Sequence, residues 1–256
     1  MIRKLLLCLA AAALCLAARA QTDEIQVYDA SIAPLHQFNL TYHVNFTPDG
    51  ATTPFAPGVI LSNHSTNGSF EWAYGYKPWL ELGLYLPLYS FGGGRGPAPS
   101  IDGGKLRLLF VRPHAADHTF FYGMNFEFSY NARHWDPNRY TQEIRPIIGL
   151  HLHPWDFIFN PVLDNDWKGG LPALQFNPCA RIAYNLNKHW AVAGEEYAQR
   201  GTLAHLVPIN QQFQQVWAVV DHYSDFVDVE TGVGVGVTSA SDKMTLKLLL
   251  SRNFSF

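Results

Sequence analysis

Almost nothing in this chain of 256 residues could hold it together covalently: it has three cysteines, and two of them, Cys8 and Cys15, fall in an N-terminal stretch expected to be removed. Cys179 is left alone, so an intramolecular disulfide is excluded and the fold must stand on packing and hydrogen bonds. Beyond the first twenty residues there is no apolar run of about 18, which excludes a transmembrane helix. Charge is sparse as well, with Asp, Glu, Lys and Arg making up 15% of the residues.

The N-terminus reads as an export signal. Arg3 and Lys4 precede an apolar run from Leu5 to Ala17, and Ala18-Arg19-Ala20 is a small-residue cleavage site, so residues 1–20 are expected to be a signal peptide and Gln21 the first mature residue. Neither Cys8 nor Cys15 lies where a lipoprotein site requires it, so no lipid anchor is expected. Removing Arg3, Lys4 and Arg19 from the 18 basic residues leaves 15 against 21 acidic ones. An acidic mature chain is a poor partner for nucleic acid.

What the chain has in quantity is aromatic side chains, 14% of the total, and they recur at alternate positions. Phe38, Leu40, Tyr42, Val44 and Phe46 share one face of a strand, with Asn39, Thr41, His43 and Asn45 on the other. Phe70, Trp72, Tyr74 and Tyr76 repeat the pattern, as do Leu80 to Leu88, Leu106 to Phe110, and Phe120 to Tyr130. Later segments continue it, including Val227 to Val237, where Asp228 and Glu230 take the polar face. Strands of about ten residues that are apolar on one face and polar on the other match a membrane-spanning barrel with a polar interior. About twelve are expected. Connections after odd strands are long, except for the modest final loop Thr238 to Lys243, and those after even strands are short; outer-membrane barrels have that asymmetry. Residues 47–69 and 90–104 are expected as long loops, and residues 157–163 as a strand. In Trp190–Gln199 the alternation is mixed, and whether Glu195 or Glu196 points inward stays open.

The last stretch places Leu246, Leu248, Leu250, Phe254 and Phe256 on one face. It resembles the closing strand of Gram-negative outer-membrane barrels, and Phe254 and Phe256 would then form the signal read by the barrel assembly machinery. That resemblance implies an all-β, antiparallel transmembrane barrel over residues 37–256, both termini periplasmic, in contact with outer-membrane lipids. Residues 21–36 are expected to form a polar lead at the periplasmic mouth.

Parity then assigns an inward face. Glu81, Tyr85, Lys105, Arg107, Asn125, Glu127, Glu143, Arg145, Arg181, Asp228, Glu230 and Lys247 are expected to line the lumen. Two interpretations stand side by side: a polar path that selects a small-molecule solute, or a structural ladder of ion pairs that fills a narrow lumen. Matching heights across the hairpins puts Arg107 opposite about Phe126 and Glu127 opposite about Pro146, so Arg107, Glu127 and Arg145 are expected to form a ladder with one net positive charge that favours anions.

Other motifs carry less. His64-Ser65-Thr66-Asn67-Gly68 is similar to the His-x-Ser-x-Gly of outer-membrane phospholipase A and of lipid A deacylases. Such a resemblance implies a lipid-modifying enzyme using His64 and Thr66. Thr66 replaces the serine nucleophile, however, and no orienting third member presents itself, so the pentad is expected to be a polar loop tip and no catalytic residue is assigned. His151 and His153 share a face but lack a third metal ligand at a recognisable spacing. Asp164-Asn165-Asp166 is followed by Lys168 where a calcium site would want oxygen, so no metal or cofactor is expected.

Four stretches together, Ile25-Gln26-Val27-Tyr28-Asp29, Asn63-His64-Ser65, Phe70-Glu71-Trp72-Ala73-Tyr74-Gly75 and Gly83-Leu84-Tyr85-Leu86-Pro87, resemble a family of proteobacterial outer-membrane barrels. That family is similar to outer-membrane proteins linked to the meta pathway of phenol degradation. What the resemblance implies is a channel or transporter that admits a small, aromatic or apolar solute by diffusion. A structural or adhesive barrel with a closed lumen is the remaining alternative.

Overall fold

The computed structural model describes residues 23–255. The expected signal peptide, its cleavage site and Phe256 lie outside the described residues. Period-two alternation becomes twelve long strands. One half is β1 (Phe38–Asp49), β2 (Ser65–Lys77), β3 (Leu80–Gly92), β4 (Ser100–Val111), β5 (Phe120–Asn131) and β6 (Tyr140–Leu152). The other is β7 (Trp155–Asn160), β8 (Cys179–Asn187), β9 (Trp190–Gln199), β10 (Phe213–His222), β11 (Asp228–Gly236) and β12 (Met244–Phe254). Each pairs antiparallel with the next, and β12 returns to β1 with Tyr42 opposite Leu250 and Phe38 opposite Phe254. The sheet is therefore a closed barrel with no free edge along its long strands.

The alternation is inside out relative to a water-soluble protein. Leu86 is 49% exposed on the outer wall, whereas Tyr85, its neighbour in β3, is fully buried and faces the lumen. Four short strands, Leu163–Asn165, Gln175–Phe176, Gly201–Thr202 and His205–Leu206, carry the sheet past the ends of the β6–β9 wall on the side of the long loops.

Several boundaries differ from the sequence expectation. β3 and β4 reach into the expected 90–104 loop, leaving residues 93–99 as the connection. Gly103 makes this possible: its φ is +147°, and a Cβ there would lie 1.9 Å from the Tyr130 carbonyl oxygen, so a glycine lets β4 pass β5. The expected strand over 157–163 instead begins at Trp155 and breaks after Asn160, where Pro161 has no N–H to give the ladder. β1 runs on to Asp49 and β2 starts at Ser65, so the expected 47–69 loop shrinks to residues 50–64. The pentad at 64–68 is consequently not a loop tip: Ser65 to Gly68 belong to β2, with Ser65 and Asn67 buried toward the lumen.

The larger departure is the lead. Its described part is not confined to the mouth but threads the barrel. Asp23 and Glu24 line a cavity shared with Phe55, Trp135 and Asp166 on the long-loop side. At the other end His36 N donates to Gly75 O at 2.7 Å, and Gln37 N donates to Pro34 O at 2.9 Å as the chain turns into β1. Between these ends Val27, Tyr28 and Ala30 pack on Leu109, Phe121, Ile147 and Ile158, inward residues of β4 to β7, while Ile25 packs on Trp217 and Val219 of β10. The lead is thus the barrel's hydrophobic core.

Candidate functional site

Every expected lumen residue lies on the inner face, and the structure divides their charges into two groups. The first spans β1 to β6. The Arg107 guanidinium pairs with Glu71 Oε1 at 2.7 Å and also with Glu81, while His43 Nε2 meets Glu71 Oε2 at 2.9 Å. Gly83 makes room for it, since a Cβ there would sit 2.7 Å from Arg107 Nε. Lys105 Nζ bridges Asp23 at 2.8 Å and Glu127 at 3.2 Å, and Asn125 Nδ2 donates to Glu127 Oε1 at 3.0 Å. Arg145 grips Glu143 with Nε at 2.6 Å and Nη2 at 3.0 Å, and its Nη1 donates to the Gln26 carbonyl at 2.9 Å.

Tyr28 sits in the middle of this group. Its hydroxyl lies 2.6 Å from the Tyr85 hydroxyl, donates to Glu127 Oε1 at 3.1 Å and accepts from Arg107 Nη1 at 3.2 Å. The Arg145 guanidinium lies 4.3 Å from its ring centroid. The Tyr28 backbone is held as a sheet partner would hold it: its N–H donates to Asn160 Oδ1 at 2.8 Å and its carbonyl accepts from Asn160 Nδ2 at 3.0 Å.

The second group belongs to β8 to β12. Arg181 pairs with Glu195, Asp221 and, at 3.5 Å, Glu230. Lys247 Nζ completes it, 2.6 Å from Glu195 and 2.5 Å from Glu230, and also donates to the Ile25 carbonyl at 3.3 Å. Glu195 is therefore the inward glutamate, and the Glu196 side chain is 45% exposed. Asp228 lies lower, accepting from Ser224 N at 2.9 Å.

The expected Arg107, Glu127 and Arg145 ladder does not form. Arg107 stands opposite Glu127, and Glu127 opposite Glu143, a shift from the expected register. The Tyr28 hydroxyl stands between Arg107 and Glu127, so Arg107 turns to Glu71 and Glu81 while Arg145 takes Glu143. Nor is the level positive: Lys105, Arg107 and Arg145 face Asp23, Glu24, Glu71, Glu81, Glu127 and Glu143. Burial, ahead of the neighbouring Glu127 charge, pushes the Glu24 carboxyl of the lead above the usual carboxylate range.

Sequence parity could have found Glu71 and His43, which alternate with outward Phe70 and Tyr42. Tyr28 and Glu24 carry no such signal, because the lead has no period; Asn160 has inward parity, alternating with outward Phe157 and Phe159, but its partner is 132 residues away. Among the expected alternatives, His64 is exposed with a left-handed backbone, φ 54°, and among the described residues no hydrogen bond joins it to Thr66. The His151 ring is paired with Asp156 at 2.6 Å and stacked on Phe121. Phe254 closes the barrel seam opposite Phe38.

Two larger cavities lie toward opposite ends of the lead. One, of about 410 Å³, opens toward the long loops above Asp23 and Glu24. The other, about 210 Å³, lies around Asp29 to Ala33 and is lined by Glu81, Arg107 and Asp228. No lining residue is common to both.

No protein-family model matches the sequence, and neither does any curated protein. Solved structures do match. An outer-membrane channel from Pseudomonas putida F1 is 13% identical, with 90% of this chain and 100% of that one covered at a TM-score of 0.59. The KdgM porin, solved in complex with disordered oligogalacturonate, is 9% identical over 85% of this chain and 99% of its own, and the NanC porin 7% identical over 86% and 100%, both at a TM-score of 0.50. At these identities the likeness is one of architecture: the chain has the closed, twelve-stranded antiparallel fold of bacterial outer-membrane channels.

Proposed function

We propose that the protein is an outer-membrane channel that admits a small solute by diffusion, and that the lead is its gate. In this account residues 1–20 are the export signal, residues 21–36 the gate and residues 37–256 the barrel, with Phe254 and Phe256 serving the assembly machinery and the long loops facing outward. The observation that carries it is the lead, seated through Tyr28, standing between a cavity on the long-loop side and one around Asp29 to Ala33 that share no lining residue. Beside its apolar packing, the lead is bonded to Lys105 and Arg145, which line one cavity, and to Glu81 and Arg107, which line the other.

Solute passage then requires the lead to shift, and the lumen residues Lys105, Arg107, Glu127 and Arg145 form the seat it leaves. The carboxylate excess on the β1 to β6 side favours neutral or cationic solutes over anions. Osmotic swelling of liposomes holding the purified protein, measured with neutral sugars of increasing size and with small aromatic alcohols, tests the reading. Solute-dependent swelling is expected, with a cut-off near the size of one ring. Liposomes indistinguishable from protein-free ones for every solute would mean a closed structural barrel.

A further inference from the structure

Positive charge on the rim is concentrated in one place. The loops over residues 50–64, 93–99, 132–139, 166–178, 200–212 and 237–243 contain six cations: Arg95, Arg133, Arg139, Lys168, Arg200 and Lys243. Arg200 pairs with Glu196 at 3.7 Å and Lys243 with Asp49 at 3.5 Å. Arg133, Arg139 and Lys168 instead line a single open groove of about 800 Å³ between the β5–β6 loop and the loop that follows β7. Asp166 is its sole acidic lining residue among the described ones. None of the three cations pairs with a carboxylate among the described residues, so the groove holds two net positive charges in a chain that is acidic as a whole.

The groove is also anchored to the outer wall. Arg139 Nη1 donates to the Tyr130 hydroxyl at 3.1 Å. Tyr130 faces Tyr140 across the β5–β6 pair with ring centroids 5.6 Å apart. Tyr140 is 65% exposed, Trp167 58% and Phe128 40%. An outward aromatic belt marks the level where acyl chains give way to headgroups, and here guanidinium groups stand directly above it. Guanidinium forks take phosphate oxygens in pairs, and an ammonium beside them adds a point charge.

We propose that this groove binds a phosphorylated glycolipid of the outer leaflet, with its phosphates on Arg133, Arg139 and Lys168 and its acyl chains along Phe128 and Tyr140. The choice of leaflet rests on the outward placement of the long loops proposed above. The groove borders the cavity above the lead, sharing Ser129, Thr141, Asp166 and Lys168 with it, yet lipid binding there does not require the barrel to conduct.

Native mass spectrometry of the folded protein in detergent tests this, with bis-phosphorylated lipid A, dephosphorylated lipid A and phosphatidylglycerol as probes. One retained lipid A adduct is expected, weakened about tenfold or more by the combined Arg133→Ala, Arg139→Ala and Lys168→Ala variant and unchanged by Arg95→Ala. Heat-modifiable gel migration confirms that each variant is folded before it is scored. Equal lipid A retention by the triple variant would overturn the proposal, and so would equal binding of the dephosphorylated lipid or of phosphatidylglycerol. Labelling of an Arg95→Cys variant on intact cells with an impermeant maleimide reports the leaflet separately; protection there would overturn the outer-leaflet assignment even if lipid A bound.

Discussion

The two charge groups of the lumen are built from the same residue types yet engage the lead to different depths. On the β8 to β12 side, Arg181 and Lys247 are consumed by Glu195, Asp221 and Glu230, all on the wall, and among the described residues the lead receives one bond from these charges, from Lys247 to the Ile25 carbonyl. On the β1 to β6 side, Lys105 reaches Asp23, Arg145 reaches Gln26 O, Arg107 reaches the Tyr28 hydroxyl, and Glu81 accepts from Ala33 N at 2.5 Å. Wall-to-wall pairs brace the barrel, because neither partner can leave without stranding the other. Wall-to-lead pairs can break together when one segment moves, and each freed group then faces a cavity where water can replace the lost partner. The difference separates a strut from a seat.

The strongest way to break this comparison is to remove a cation from the brace. Lys247→Met leaves Glu195 and Glu230 with Arg181 as their remaining cation, already shared with Asp221, and a loss of about 3 kcal/mol of stability is expected, read from the urea midpoint of the refolded barrel. A loss no larger than that of Lys105→Met, which frees Asp23 on the lead as well as Glu127 on the wall, would erase the distinction between the groups.

Next in size is an effect on conduction rather than folding. Tyr28→Ala removes the hydroxyl shared by Tyr85, Glu127 and Arg107 and the ring beneath Arg145. A several-fold rise in open probability is expected in planar bilayers, with heat-modifiable migration preserved.

The smallest effect is a pH dependence of the seat. Burial, with Glu127 beside it, raises the Glu24 carboxyl against the opposing pull of Arg145, Lys105 and His43. A seated lead therefore binds a proton more tightly than a displaced one. Its contribution is complete at low pH and is lost as pH rises through the raised seated value, so conductance is expected to increase with pH over that window. Glu24→Gln, which cannot titrate, should flatten the profile; an unchanged profile would assign the dependence to another group.

Much of the scaffold was legible because period two is written directly in the residues. Phe120 to Tyr130 allow one orientation of β5, and a carboxylate at Glu127 or a cation at Arg145 cannot face the bilayer. The ion-pair partners were not legible. Register depends on where each hairpin turns, and a small error in that position moves Glu127 from Pro146 to its actual partner Glu143. The apolar seat was half visible: Phe121 and Ile147 fall on the inward parity, yet large apolar side chains have no place in an open, water-filled lumen. Read together, they announce something apolar to cover them. Val27, Tyr28 and Ala30 do so, but a lead without periodicity cannot declare in sequence which wall it will meet.

The central claim, that the lead closes the lumen, is tested most directly by single-channel recording of the full mature chain beside a form lacking residues 23–33, both shown to be folded by heat-modifiable migration. The account predicts small, infrequent openings for the full chain and a steady, several-fold larger conductance for the shortened one. Identical conductance in the two forms would contradict it.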